Sequence, residues 1–350
     1  DSASRGLGDV YKRQKKYYSL VEMTLLDKKF KGAALIMALF VTAIIASVSA
    51  GLFSMVSTNL ENEKNMISEQ QAILTTLSLE SFTKKYLKNK ENRNNIVLAA
   101  NNFSQKSPIN LPLERGNLEA NIVDMGQCFN LNSLISISAT GEETANQENL
   151  EFFKNLMKSL FIQDQKIEEI SPAVIDWLDK DFFPDSYLGV EDDYYRNEKP
   201  SRLTSNQFFF DITELRDVKG MTEEIFQKLK PYICAFNSVE TKININSLNP
   251  FYPNILVALS SNTLSDLEAR NILNSKPLGG YSSVSDFLNQ QEIKTAFSSK
   301  FSKSNLTLET KYFILNTNIK IDDKDFHLKS HIFMLNESPK VIRRKFGEYL

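Results

Sequence analysis

The reading of the whole chain turns on residues 31–56, Lys31-Gly32-Ala33-Ala34-Leu35-Ile36-Met37-Ala38-Leu39-Phe40-Val41-Thr42-Ala43-Ile44-Ile45-Ala46-Ser47-Val48-Ser49-Ala50-Gly51-Leu52-Phe53-Ser54-Met55-Val56. The 24 residues from Ala33 to Val56 carry no charge. As a helix rising about 1.5 Å per residue, this run crosses a hydrocarbon core of about 30 Å. Lys28, Lys29 and Lys31 stand immediately before it. The positive-inside rule keeps that end in the cytoplasm and places the rest of the chain on the far side of the membrane.

Three readings of this anchor are open. A secretory signal would end after Ala50, where Val48-Ser49-Ala50 fits the small-x-small rule, but apolar character continues through Leu52, Phe53, Met55 and Val56. An uncleaved membrane anchor is the second. The third starts from the short basic leader Met23–Gly32 followed directly by an uncharged helix, which resembles the class III signal of type IV pilins and pseudopilins. That resemblance implies cleavage after Gly32 by a prepilin peptidase, with Ala33 as the new N-terminus. Ordinary subunits of those families carry a glutamate at the fifth mature position, which pairs with the terminal ammonium of a neighbour. Here that position is Met37. A buried carboxylate is costly unless paired, so a subunit without one cannot dock beneath another by that contact, yet still offers its own ammonium to a follower. That asymmetry suits a tip subunit or initiator.

Upstream, Asp9-Val10-Tyr11-Lys12-Arg13-Gln14 resembles a translated sequencing adaptor. Met23 reads as the natural start, so residues 1–22 are set aside as a non-native leader, with a disordered basic tail as the alternative. The chain has 350 residues, 42% hydrophobic and 24% charged, with net charge −2. That suffices for an anchor and one large or two smaller domains, and gives no global attraction to nucleic acid or anionic lipid. Only two cysteines occur, Cys128 and Cys234, which an oxidising compartment would allow to pair.

Past Val56 the helix continues to about Asn89, with Leu60, Met66, Ile67, Ile73, Leu74, Leu77, Phe82 and Leu87 as an apolar stripe needing cover. From Glu91 to Asn132 the runs Ile96-Val97-Leu98 and Ala120-Asn121-Ile122-Val123, with turn residues from Pro108 to Gly116 between them, read as strands or hairpins. A helical period follows to about Ser302, with helices expected over Asn149–Phe161, Ser171–Leu178, Ser205–Val218, Thr222–Lys230, Pro253–Leu259, Ser265–Asn274 and Ser283–Gln290, several opened by capping side chains. Tyr312–Ile321 and His327–Leu335 form a hairpin about Asp322–Asp325, with Lys340–Arg344 as an edge strand. The order is anchor helix, strands, helices, strands. A helical insertion within a helix-plus-antiparallel-sheet fold explains it most simply.

The segment from Asp176 to Tyr195 holds seven carboxylates, Asp176, Asp179, Asp181, Asp185, Glu191, Asp192 and Asp193, with Pro184 and Gly189 to turn the chain. Calcium takes six to eight oxygens, and the lack of histidine or cysteine argues against zinc or copper. The spacing is not that of an EF-hand, and from residue types alone a solvated acidic loop and a calcium site stand level. A glycosidase-like carboxylate pair is the enzymatic alternative, and no second catalytic constellation accompanies it. Thr213–Phe226, around Gly220, and Ile243–Leu248 with the helices behind it look like helix–hairpin–helix units. Nucleic-acid use of that turn wants basic surroundings, whereas Asp211, Glu214, Asp217, Glu223 and Glu224 crowd the first, which reads as structural. His327 and His331 read as satisfied surface residues.

Together these pieces resemble the minor pseudopilin K family of bacterial type II secretion: the Gly32 site without the glutamate; Cys128-Phe129-Asn130-Leu131-Asn132; Asp176-Trp177-Leu178-Asp179 through Gly189-Val190-Glu191-Asp192-Asp193-Tyr194-Tyr195; Glu214-Leu215 through Val218-Lys219-Gly220-Met221; and Ile243-Asn244-Ile245-Asn246. They occur in the family's order from about Phe30 to Arg344. The resemblance implies an α+β pseudopilin fold, a long N-terminal transmembrane helix packed on an antiparallel sheet, with a large inserted all-α, SAM-like domain. The domains it implies are a leader at 23–32, the helix at 33–90, pseudopilin strands at 91–140, the inserted domain at 141–305 and C-terminal strands at 306–350. It implies calcium (Ca2+), with Asp179, Asp181, Asp185, Glu191 and Asp192 as ligands, and a disulfide between Cys128 and Cys234. Phe182-Phe183 and Tyr187-Leu188 depart from the family, where polar or small residues are usual. It implies a non-enzymatic subunit, single-pass in the inner membrane with its bulk in the periplasm, processed by prepilin peptidase at Gly32 and Ala33. Its partners would be minor pseudopilins I and J at the filament tip, and no nucleic acid. The competing reading is a membrane-anchored helix–hairpin–helix DNA-binding protein of a competence or type IV pilus system, and a calcium-dependent hydrolase is a remote third.

Overall fold

The computed structural model describes residues 3–99, 109–297, 303–322 and 324–347, with side chains from Gly32 onward. The turn residue Pro108 and the end of the helical stretch near Ser302 lie outside the described residues. Two compact units emerge, residues 1–71 and 72–350.

The first unit is a single helix, the N-terminal part of α1 (Ala3–Lys88). The helix was expected from about Ala33 and begins earlier. From Gly32 it is long and apolar enough to cross a membrane, and its apolar side chains are exposed. Three of its hydroxyls are satisfied within the helix: Thr42, Ser47 and Thr58 each donate to a carbonyl three or four residues back, at 2.9, 2.8 and 3.0 Å. No polar atom of theirs is therefore left bare in a hydrocarbon setting.

In the second unit the last turns of α1 lie on a sheet. The buried line is Ala72, Thr76, Leu79, Glu80, Thr83 and Leu87, spaced by three or four residues. The expected stripe is wrong on this point: Leu60, Met66, Ile67, Leu74, Leu77 and Phe82 are exposed and only Leu87 of that set is buried. Counting apolar residues rejects a face that contains a glutamate and three threonine- or alanine-sized positions. Small side chains bring the helix close to the sheet, and the sheet supplies the partners Glu80 needs. Ser330 Oγ donates to it at 2.5 Å, and Arg344 Nε and Nη2 at 2.8 and 2.7 Å.

A second helix, α2 (Lys90–Ala99), stands where Ile96-Val97-Leu98 was expected as a strand. Asn89 breaks α1, and its side-chain oxygen accepts from Glu91 N at 2.8 Å, opening the new helix as a cap does. Arg93 donates to the carbonyls of Leu87 and Lys88 at 2.7 and 3.1 Å, satisfying the end of the old one.

Next come β1 (Ile109–Leu113), β2 (Gly116–Asp124), β3 (Phe129–Asn130), β4 (Ile135–Ile137) and β5 (Glu143–Ala145). The helices α3 (Gln147–Ser159), α4 (Asp164–Leu178), α5 (Asp192–Asn197) and α6 (Glu223–Leu229) follow, then β6 (Ile233–Cys234) and β7 (Ile243–Asn244). After α7 (Asn254–Leu259), α8 (Asp266–Asn274), α9 (Val284–Leu288) and α10 (Gln291–Ala296) come β8 (Leu306–Thr307), β9 (Tyr312–Ile321), β10 (Lys324–Leu335) and β11 (Ser338–Phe346). The five-stranded sheet is antiparallel throughout, in the order β1-β2-β9-β10-β11, with β11 at one edge. Its α1-facing side buries Leu118, Ala120, Phe313, Leu315, Ile319, Ile321, Ile332 and Met334. Strands β2 and β9 pair from Gly116↔Ile321 to Asp124↔Phe313, so the whole helical block leaves and rejoins the sheet at adjacent positions. The class is α+β.

The block has its own core, with Phe129 packed on Phe152 and Phe153 at ring-centroid distances of 5.0 and 5.9 Å. Asn146, Thr222, Ser265 and Ser283 cap α3, α6, α8 and α9 by accepting backbone N–H groups. Several boundaries differ from expectation. α4 starts at Asp164, ahead of the expected Ser171, and carries Pro172 inside it; Ser171 Oγ donates to Ile167 O at 2.6 Å beside the interruption. Only Ile212–Asp217 of Ser205–Val218 is helical, as a 3-10 turn. α5 and α10, of six residues each, were not anticipated. Cys128 and Cys234 form a disulfide with a Cα–Cα separation of 5.7 Å, beside the parallel β3–β6 pair.

Candidate metal centre

The acidic segment lies between α4 and α5, and residues 179–191 have no regular structure. Asp176, on the last turn of α4, is fully buried. It folds the loop back on itself: Oδ1 accepts from Asp185 N at 2.9 Å and Oδ2 from Val190 N at 2.5 Å. Gly189 is required there, because a Cβ would fall 2.2 Å from Asp176 Oδ2. Asp179 caps the end of α4, its N–H donating to Ile175 O at 3.0 Å. Asp181 Oδ1 accepts from Phe183 N at 2.8 Å, shaping the next turn.

This geometry brings two carboxylate trios together. Asp176, Asp179 and Asp185 each offer an oxygen within 4.8 Å of the others, as do Asp179, Asp181 and Glu191. Asp179 belongs to both. Asp179 Oδ1 and Glu191 Oε1 are buried and have no hydrogen-bond partner. Burial, reinforced by the neighbouring carboxylates, pushes Asp179 up to about 8, Glu191 to about 7 and Asp176 to about 6, and raises Asp185. The nearby cations are engaged elsewhere: Lys180 with Glu143, Arg196 with Asp192, and Lys219 Nζ with Leu188 O at 3.3 Å. Clustered, desolvated carboxylates with unpartnered oxygens and no nitrogen or sulfur donor fit a hard divalent cation.

Four of the five ligands named from the sequence, Asp179, Asp181, Asp185 and Glu191, are thus brought together. Asp192 lies in neither trio. Its Oδ1 accepts from Thr204 Oγ1 and N at 2.7 and 3.1 Å and its Oδ2 from Arg196 Nη2 at 3.0 Å, and the Thr204 bond holds it below the usual carboxylate range. Asp176 was not named as a ligand. Its signal was available, since Asp176 and Asp179 are spaced i,i+3 at a helix end and share a face.

The glycine turn at Gly220 has φ +81°, between the 3-10 turn and α6, and a Cβ there would press on Glu169 and Ile170. Arg216 pairs with Glu223 at 2.8 Å and lies over the Phe226 ring, and Lys228 pairs with Glu224 at 2.9 Å. The turn packs against α4. His327 Nδ1 is 2.7 Å from Asn318 Oδ1. His331 is not the satisfied surface residue expected: its Nε2 is buried without a partner, and burial, with Arg343 and Lys329 nearby, lowers it to about 4. At the N-terminus, Gly32 is exposed and no acid occurs from Ala33 to Val56.

An apolar N-terminal helix, an antiparallel sheet that packs on its end, and a helical excursion from that sheet define a pilin-like membrane subunit. Two family models match the chain, both described as type II secretion system (T2SS), protein K, over residues 127–238 and 243–309, together just over half of it. Type II secretion system protein K of Pectobacterium carotovorum subsp. carotovorum is 28% identical over 322 residues, covering 91% of this chain and 97% of that one. The protein K of Klebsiella pneumoniae is 26% identical, covering 93% and 98%. Among solved structures, a chain in the crystal structure of the GspK-GspI-GspJ complex from the enterotoxigenic Escherichia coli type 2 secretion system aligns with TM-score 0.69 and 26% identity, over 82% of this chain and all of that one. The chain belongs to the type II secretion system protein K family, the minor pseudopilins of that machinery.

Proposed function

We propose that the chain is a non-enzymatic subunit at the tip of the periplasmic pseudopilus, that it assembles there with minor pseudopilins I and J, and that it both starts and caps the filament. The observation that carries this reading is the alignment over the full length of a chain solved in complex with two such partners. The apolar helix supports a single-pass inner-membrane anchor with the head outside. Met37, in place of an acid, supports a subunit that nothing precedes. The basic leader and Gly32 support processing by a prepilin peptidase to a mature chain that starts at Ala33.

Calcium belongs to the same proposal. Asp179, Asp181, Asp185 and Glu191 would hold it, with Asp176 as a further oxygen and Asp192 outside the set. The ion would supply the positive charge that the cluster lacks, and so fix the loop between α4 and α5. This chain's own contribution is to gather the carboxylates through Asp176, Gly189 and the α4 terminus.

Two measurements test the proposal. The full chain, co-expressed with a prepilin peptidase, yields a mature N-terminus at Ala33; one at Gly51 rejects it in favour of a secretory signal. Co-purification with pseudopilins I and J, with and without chelator, yields a ternary complex; its absence under both conditions rejects the tip assignment.

A further inference from the structure

The loop that gathers the carboxylates carries a second feature, which metal binding does not explain. Between Asp181 and Tyr187 every residue is exposed, and three are large aromatics: Phe182, Phe183 and Tyr187, at 66, 79 and 94% exposure. They alternate with the acids in the order Asp181-Phe182-Phe183-Pro184-Asp185-Ser186-Tyr187. Solvating three such rings at a loop tip opposes folding, and scattered single apolar residues are normal where a trio is not.

The loop is wired to the metal centre at both ends of this run. Asp181 Oδ1 holds Phe183 N at 2.8 Å, and Asp176 Oδ1 holds Asp185 N at 2.9 Å. The carboxylates divide by exposure, with Asp176, Asp179 and Glu191 buried and Asp181 and Asp185 exposed. The two exposed acids are those that flank the aromatic residues. A hard cation takes six to eight oxygens, with water or a further oxygen donor completing what the protein does not supply.

We propose that this loop is a calcium-dependent phospholipid-docking tip, in which Phe182, Phe183 and Tyr187 enter the interfacial region of a bilayer, and in which the adjoining carboxylates, were they to hold a divalent cation, would repel lipid phosphate less. It rests on the calcium reading above. The area on offer selects lipid over a protein partner. Large aromatic side chains offer about 150–250 Å² each, so the exposed fractions here sum to on the order of 500 Å², short of the roughly 800 Å² per partner of a stable protein interface. Insertion in a bilayer needs no matching surface, and aromatic rings favour the membrane–water boundary. Charge accounts for the dependence on calcium. Seven carboxylates between Asp176 and Asp193, against Lys180 alone, repel a phosphate-rich surface, and a divalent cation at the cluster lowers that repulsion without cancelling it.

The test uses the full chain, held by its apolar segment in phosphatidylcholine nanodiscs and mixed with labelled, protein-free phosphatidylglycerol vesicles. Trp177, the single tryptophan, lies beside the acidic cluster and packs edge-on to Tyr195 at 5.3 Å, so its fluorescence reports ion binding independently. At about 1 mM calcium, the range of weak extracellular sites, discs float with the vesicles, and chelator abolishes this. The triple variant F182S/F183S/Y187S retains the Trp177 response and loses at least tenfold in vesicle capture. A Trp177 response without capture overturns the docking proposal and leaves calcium binding standing. Equal capture by the triple variant, or capture in chelator, also overturns it. Neither response nor capture overturns the calcium reading and docking together. Capture of pseudopilins I or J in place of vesicles, lost in the same variant, assigns the trio to a protein interface and rejects lipid.

Discussion

Substituting Asp179 by asparagine has opposite consequences with and without calcium. Asp179 is 4% exposed, its Oδ1 has no partner, and its pKa is pushed to about 8 against 3.8 in the unfolded chain. At pH 7 the fold must therefore protonate or strip a group that the unfolded chain keeps charged and hydrated. The mismatch is roughly three pKa units, an upper bound of about 4 kcal/mol at 1.36 kcal/mol per unit. Asparagine removes the charge but leaves an amide still short of partners, which takes back about 1–3 kcal/mol. The net expectation in chelator is a variant more stable by about 2 kcal/mol, or some 4–8 °C for a unit of this size. With calcium the order reverses. The wild type gains about 2.7 kcal/mol at a hundredfold excess over Kd and about 4.1 at a thousandfold, while the variant, deprived of the ligand common to both trios, gains little. Thermal unfolding of both proteins in chelator and in calcium reads all four values. A variant less stable than wild type in chelator, or one with the same calcium increment, refutes the reasoning. Asp192→Asn is the control and retains the full increment.

Other expectations follow from the same structure. In chelator, stability falls as pH rises from about 6.5 to 8. Asp179 and Glu191 have folded pKa values, about 8 and about 7, above their unfolded ones, so the fold binds more protons than the unfolded chain over that window and loses the advantage as pH rises through it. His331, lowered to about 4, contributes in the opposite sense only below about pH 6.5. Melting temperature against pH checks this, and a rise over 6.5–8 contradicts it. Glu80→Ala leaves the buried Ser330 hydroxyl without its acceptor and releases the part-exposed Arg344 to water, and costs about 1–2 kcal/mol in urea unfolding. Adding Arg344→Ala costs less than the sum of the two single changes, because they share one bidentate contact. Replacing Cys128 and Cys234 by serine opens a loop of 106 residues and lowers stability by about 5 kcal/mol in the chain-entropy account, measured by denaturant titration against the oxidised wild type. Gly189→Ala displaces Asp176 and weakens the Trp177 response to calcium severalfold, because the added methyl occupies the place of a carboxylate oxygen.

Much of the architecture was legible because it rests on strong local periodicity. The uncharged run from Ala33, the alternation of Tyr312–Ile321 and the capped helices of the block each carry their own signal. Where the sequence misled, a tertiary partner decided the outcome. Glu80 is buried because Arg344, 264 residues away, reaches it, and no pattern within the helix foretells that. Ile96-Val97-Leu98 has strand-forming side chains but follows a side-chain-capped helix start at Asn89. The helix expected from Ser171 starts at Asp164 and runs through Pro172, because its first turns are held by burial of Ile167 and Ile170 in the core of the block. At the metal centre the residue types and the turn glycine were readable. The split between Asp176, which gathers the loop, and Asp192, which is committed to Thr204 and Arg196, was not, since all seven acids look alike until the chain folds.

The seam between β2 and β9 has a consequence for how such a head evolves. Everything from Met125 to Lys311 departs and returns through neighbouring rungs of one ladder, Asp124 opposite Phe313. The register of that ladder is set by Gly116–Asp124 and Phe313–Ile321 alone, so the excursion can be enlarged, trimmed or exchanged without re-threading a single rung. The bulk of this subunit is thereby a swappable payload on a constant chassis, free to diverge in its loops while the parts that grip the long helix stay the same.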